Sequence, residues 1–131
     1  MKSIFSKIID REIPAHIVAE DDRFIAFLDI NPLSIGHTLI VPKVEIDYFF
    51  DLEDSLMAEL MVFSKRMATA IEKATGCRRV GVAVIGFEVP HAHLHLVPMN
   101  GMSDINFANP KLKLTQSELA ATAKKICSFF K

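Results

Sequence analysis

A chain of 131 residues, half of them apolar and 24% charged, has the size and composition of one globular domain with a real hydrophobic core. Its formal charge of −1 gives no general electrostatic case for nucleic acid or an anionic membrane, so an anionic ligand would have to be held by a local site. No segment approaches the roughly 18 apolar residues of a membrane span. Lys7, Asp10, Arg11 and Glu12 interrupt any secretory signal, and Cys77 and Cys127 form no CxxC pair, so the expected setting is the cytoplasm with free thiols favoured over one disulfide.

Taken in order, residues 3–10 place Ile4, Phe5, Ile8 and Ile9 at helical spacing behind a plausible N-cap, Ser3, and predict a short amphipathic helix. Residues 16–20 predict a strand, Asp21-Asp22 a turn, and 23–29 its hairpin partner. The stretch from Asn31 to Gly36 is loop chemistry, and a third strand runs from His37 to Val41 before Pro42. From Asp51 to about Thr75 the period changes: Leu52, Leu56, Leu60, Phe63, Met67 and Ile71 mark one face of a long helix. Its start is favoured by Asp51 and Asp54 and its end by Gly76. Met57, Met61 and Met67 read as core filling.

A fourth strand is expected over about 79–86 and a fifth over 91–97. Met99 to Leu114 is rich in Asn, Gly, Ser and Pro and predicts an irregular loop. Thr115-Gln-Ser-Glu118 is a capping-box pattern that opens a last helix through about Phe130. No repeat or linker suggests a second domain, so residues 1–131 form one, extended by the loop and helix of about 99–131. The order α-β-β-β-α-β-β-α favours an α+β fold with an antiparallel sheet, with parallel pairing of the strands around the long helix as the alternative.

Three of the five histidines lie in Pro90-His-Ala-His-Leu-His-Leu-Val-Pro98. On a strand, His91, His93 and His95 would share one face while Ala92, Leu94 and Leu96 take the other. Three readings stay open from the residue types. His93 is a nucleophile or general base, since neutral imidazole is a good nucleophile near pH 7; or the row, completed by His37, binds a metal; or the histidines are structural and hydrogen-bonded inside.

His91-Ala-His93-Leu-His95-Leu-Val resembles the histidine triad (HIT) signature. Ile4-Phe5-Ser6-Lys7-Ile8-Ile9, Glu12-Ile13-Pro14-Ala15, Glu20-Asp21-Asp22, Ala26-Phe27-Leu28-Asp29-Ile30, Pro32 and Gly36-His37-Thr38-Leu39-Ile40-Val41-Pro42-Lys43 are similar to the N-terminal half of that family, in order and spacing. The resemblance spans about residues 3–98. It implies a five-stranded antiparallel sheet with a long helix and terminal helices, usually in a homodimer. It also implies binding of a nucleotide, most often purine, and attack on the α-phosphorus of a nucleoside phosphoramidate or dinucleoside polyphosphate.

By the same resemblance His93 is the nucleophile that forms a nucleotidyl-histidine intermediate. His95 and His91 contact phosphate oxygens or protonate the leaving group, and His37 orients the row. Asp29 matches the ribose-binding acid, and Ile4, Phe5, Ile8, Phe27 and Ile30 match the base pocket, although Phe5, Phe27 and Ile30 read equally as core and Asp29 as a loop cap. No cofactor is implied.

The chain departs from the family pattern in two places. Many bacterial members hold a structural zinc with an N-terminal Cys-x-x-Cys, a histidine after Pro-Lys and the first triad histidine. Ser3, Ser6 and Glu45 stand at the first three positions, so no zinc is expected and His91 is left without structural partners. Before the triad, only Gly86 and Val89 keep the phosphate-binding pattern; Phe87 cannot donate a side-chain hydrogen bond, and Glu88 would repel a phosphate if it faced the site. The 36 residues after His95 exceed the tail of phosphoramidase-type members, and are expected to extend a dimer interface or shape the leaving-group side of the pocket. Two alternatives follow: a slow or non-catalytic nucleotide-binding regulatory protein, and a metal-dependent hydrolase using the histidine cluster.

Overall fold

The computed structural model of the protein describes residues 2–131. Its elements are helix α1 (Ile4–Ile9), strands β1 (Ile17–Glu20), β2 (Phe24–Leu28) and β3 (Thr38–Pro42), helix α2 (Asp54–Thr75), strands β4 (Arg79–Ala83) and β5 (Leu94–Met99), and helix α3 (Gln116–Phe129). The strands form one sheet in the order β1-β2-β3-β5-β4, and every pair is antiparallel. The fold is α+β, and the parallel alternative does not arise.

Alternation along β2 and β3 builds two cores on opposite faces of the sheet. Phe24, Ala26, Leu28 and Ile40 pack with Leu94 and Leu96 against α2 and α3. Ile25, Phe27, Leu39 and Val41 pack against Phe5 and Ile8 of α1. Both faces of the central strands are therefore covered, which accounts for their uninterrupted burial. Two expected caps form: Ser3 Oγ accepts from the Ser6 N–H at 3.0 Å, and Thr115 and Glu118 make a reciprocal capping box. Gly76 closes α2 in the left-handed region at φ 69°, where a Cβ would be strained.

Several boundaries move. The fifth strand starts at Leu94, so His91-Ala92-His93 is an irregular lead-in. Pro42, which would continue the ladder there, has no N–H to give; its carbonyl accepts from His91 Nε2 instead. The fourth strand ends at Ala83, opposite His95, and residues 84–90 leave the sheet through Gly86 at φ 83°. The long helix begins at Asp54 because Phe49–Asp51 forms a separate 3-10 turn. Of the three methionines assigned to its core, Met67 is buried but Met61 is 51% exposed. The C-terminal loop is not wholly irregular: Met102–Ile105 is a 3-10 turn whose Asp104 carboxylate accepts from the N–H groups of Asn100 and Gly101.

Candidate active site

Strand alternation explains why distant residues meet. His95 lies opposite Leu39 in register, and so projects with Leu39, Phe27 and Ile25 to the α1 face. His37, two residues before Leu39, and Asp29, two after Phe27, project to that face by the same period. The geometry agrees: His37 Nε2 is 3.0 Å from His95 Nδ1 and 3.7 Å from Asp29 Oδ2. The His93 and His95 ring centroids are 5.1 Å apart. The edge of Phe5, from α1, meets His93 at 4.9 Å.

Hydrogen-bond partners that can only donate or only accept determine which ring nitrogen carries each proton. The Leu33 backbone N–H donates to His37 Nδ1 at 3.0 Å, so neutral His37 carries its proton on Nε2 and donates it to His95 Nδ1. His95 must then carry its own proton on Nε2. His93 is the reverse: Nδ1 lies 2.7 Å from the His91 carbonyl, which can only accept, so the lone pair sits on Nε2. Neither His93 Nε2 nor His95 Nε2 has a partner among the described residues, where no buried side-chain N or O lacks one. Both atoms therefore reach solvent, one as an acceptor and the other as a donor.

His91 differs. Its Nε2–H donates to the Pro42 carbonyl at 2.8 Å, and its Nδ1 accepts from the Ser3 hydroxyl at 2.7 Å. Glu45 Oε1 accepts in turn from the Ser3 backbone N–H at 2.7 Å and the Ser6 hydroxyl at 2.6 Å. These two hydrogen bonds hold the Glu45 carboxyl down at about 2. The expected phosphate contact from His91 has no ring nitrogen left to make it. The expectation that His91 lacks structural partners is likewise corrected: Ser3, Ser6 and Glu45 stand around it and are hydrogen-bonded to it or to one another. The donor set, two hydroxyls and one carboxylate already engaged, does not fit a zinc site that needs thiolates or free imidazoles.

Burial disfavours charge on the remaining imidazoles. It lowers His93 below the ordinary histidine value, partly opposed by the hydrogen bond to the His91 carbonyl. Burial takes His37 down to about 4, with help from the charge of Lys111. His95 falls to about 3, by burial and then by its neighbours His37 and His93. All three are neutral at pH 7. Asp29 is raised by burial, against the hydrogen bond it accepts from the Asn31 N–H; that bond supplies the loop cap as well.

The expected base pocket divides. Phe5, Ile8 and Phe27 are buried, with the Phe5 and Phe27 rings edge-to-face at 5.4 Å, so they form core behind the site. Ile4 and Ile30 are 49% and 61% exposed and form a rim. Val89 packs against the α1-side core, whereas Gly86 is exposed on the departing loop. Asp29, His37 and His95 each offer one ligand atom within 4.8 Å of one another. The four-histidine metal set is not assembled, because both ring nitrogens of His91 are committed elsewhere.

The residues that sequence reasoning missed are Phe107, whose ring lies 4.8 Å from that of His95, and Lys111. They sit in a loop with no periodic signal, and only tertiary packing brings them to the histidines. A cavity of about 560 Å³ lined by Ser34, Thr75, Cys77, Asp104 and Lys125 contains none of the histidines. Cys77 and Cys127 are free.

Comparison with known proteins supplies the family. A family model described as HIT domain matches residues 10–102. An uncharacterized HIT-like protein of Methanocaldococcus jannaschii is 42% identical over 102 residues, covering 72% of this chain and 77% of the relative. An adenosine 5'-monophosphoramidase of Saccharomyces cerevisiae is 38% identical over 96 residues, covering 72% of this chain and 61% of the relative. The crystal structure of a HIT-like protein involved in cell-cycle regulation from Bartonella henselae superposes with a TM-score of 0.86 at 30% identity, over 98% of this chain and 96% of that one.

Proposed function

The chain belongs to the HIT family, and from that premise we propose that it is a nucleotide hydrolase or transferase that attacks the α-phosphorus of a nucleoside phosphoramidate or dinucleoside polyphosphate. The observation that carries the reading is the opposite protonation of two neighbouring, solvent-reaching imidazoles. His93 presents a lone pair on Nε2 and His95 presents an N–H on Nε2. One is a nucleophile and the other a donor for a phosphate oxygen.

In the first step His93 Nε2 forms a bond to phosphorus, and the bond from phosphorus to the leaving nitrogen or oxygen breaks. The leaving group departs with the electron pair and takes up a proton from solvent water. The His93 ring gains positive charge, and the Nδ1–H bond to the His91 carbonyl strengthens as it does. Water then attacks the nucleotidyl-histidine, gives up a proton, and returns Nε2 to its lone pair with release of the nucleoside monophosphate. His95 Nε2–H steadies the phosphoryl oxygens in both steps, with His37 fixing its tautomer. His91 acts through its carbonyl and its packing and is a positioning residue. Asp29 takes the ribose hydroxyls, and Ile4 and Ile30 flank the base above Phe5, Ile8 and Phe27.

A purine nucleotide is the expected ligand, in keeping with the adenosine 5'-monophosphoramidase activity for which the yeast relative is named. The homodimer belongs to the same reading. Val82, Val84 and Ile85 on and beyond the β4 edge and Met61 and Val62 on α2 are exposed apolar side chains of the kind a second copy would cover. Dissociation to monomer at micromolar concentration in sedimentation would remove it.

The test is incubation with a panel of adenosine phosphoramidates and diadenosine polyphosphates, followed by mass detection of an adenylyl adduct on His93. An adduct on another residue, or turnover without one, overturns the mechanism. The proximity of Asp29, His37 and His95 motivates one other reading, a metal-dependent hydrolase. It predicts loss of turnover on chelation and stoichiometric metal in the purified protein, whereas the covalent mechanism predicts neither.

A further inference from the structure

We propose that the C-terminal loop completes the site, with Phe107 walling its His95 side and Lys111 supplying the cation that takes an anionic phosphate of the nucleotide. Both residues lie past residue 102, where the match to the family model ends. The inference rests on the nucleotide reading above and names the part of the chain that recognises charge.

The loop is tied to the site at its far end. The Leu112 N–H donates to the Pro32 carbonyl at 2.9 Å, three residues after Asp29, so the segment leading to it runs beside the cluster. Phe107 presents its ring edge-to-face to His95 at 4.8 Å and 72° and to His37 at 6.0 Å and 81°. Lys111 is seated on the same turn: its Nζ donates to the Phe107 carbonyl at 2.6 Å and to the Asn109 carbonyl at 3.2 Å, 5.9 Å from the centre of the Phe107 ring. An ammonium has three N–H donors, so one remains for a ligand. Lys111 makes no ion pair among the described residues, and its charge is not neutralised by the protein.

The site needs such a charge. Its imidazoles His37, His93 and His95 are neutral at pH 7, and the carboxylates of Asp29 and Glu88 add only negative potential. A phosphate entering that environment without a cation would be repelled. Lys111 is the lysine or arginine, among the described residues, whose charge registers on the cluster: it opposes protonation of His37 and favours ionisation of Asp29. Preorganisation by two carbonyls and an aromatic ring lowers the side-chain entropy lost on binding.

The experiment is calorimetric titration of wild type, Lys111→Ala and Lys111→Arg with AMP and with adenosine at two salt concentrations. AMP and adenosine share base and ribose and differ in the phosphate alone. Lys111→Ala should weaken AMP by about five- to twentyfold and leave adenosine within about twofold. Lys111→Arg, which keeps the positive charge, should restore AMP to within about threefold. The salt sensitivity of AMP binding should shrink in the alanine variant. Unchanged AMP affinity in Lys111→Ala, or equal losses for AMP and adenosine, would overturn the assignment while leaving the nucleotide reading intact. Wild type that binds neither ligand overturns both.

Discussion

His91 and His93 are two residues apart and both buried, yet their surroundings assign them different work. Every polar atom of the His91 ring is spent inside the protein, on the Ser3 hydroxyl and the Pro42 carbonyl. The His93–His95 end spends one nitrogen of each ring on orientation and leaves the other to solvent. One end of the row is closed and stabilising, the other open and chemical. A row of identical side chains thus gets its division of labour from which nitrogen is already bonded. The closed end also ties the start of α1 to the rest of the fold through hydrogen bonds of Ser3, Ser6 and Glu45.

The largest expected effect breaks the open end. His93→Ala should lower turnover of an adenosine phosphoramidate by about 10⁴-fold or more, since the nucleophile itself is removed, with AMP affinity and melting temperature little changed. Steady-state kinetics and calorimetry check this together; residual turnover within tenfold of wild type would place the nucleophile elsewhere. His95→Ala should cost about 10²- to 10³-fold in kcat, as loss of one preorganised donor does.

The closed end should respond in stability before activity. His91→Ala strands the Ser3 hydroxyl and the Pro42 carbonyl and opens a cavity, at a cost of about 2–4 kcal/mol in chemical denaturation. Ser3→Ala removes an N-cap and the partner of His91 Nδ1, for about 1–2 kcal/mol. If His91→Ala instead lost turnover as completely as His93→Ala at unchanged stability, the two ends would not be distinct.

Acid offers a graded version of the same contrast. Folding holds His37 near 4 and His95 near 3, below the ordinary value of about 6.5. Between those limits the unfolded chain takes up protons that the native state refuses, so stability rises with pH across the window. The contribution is fully present above pH 6.5 and is lost as pH falls through the two folded values. At pH 4 each imidazole should have removed on the order of 2–3 kcal/mol. Urea midpoints measured from pH 7 to 4 should decline, and a His37→Gln variant should decline less. The acid limb of turnover, set by protonation of His93, should lie below that of an ordinary imidazole, because burial lowers it.

Much of the scaffold was legible before any coordinates. The strands β2 and β3, the stripe of α2, both N-caps and the Gly76 stop follow from local rules of period and capping, which act over a few residues and do not need the rest of the fold. The histidine row follows from strand alternation, and its grouping with His37 and Asp29 was implied by the family resemblance, because motif order is a one-dimensional property. The tertiary structure alone decided the rest. It began β5 only at Leu94, since Pro42 in a neighbouring strand has no N–H to extend the ladder back toward His91. It returned His91 to a structural part by bringing Glu45 and Ser6 to the same corner, and it brought Phe107 and Lys111 from an unpatterned loop to the open side of the site. Proton positions on the imidazoles belong here too: they depend on which carbonyl or N–H lies within 3 Å in space, and no spacing along the chain encodes that.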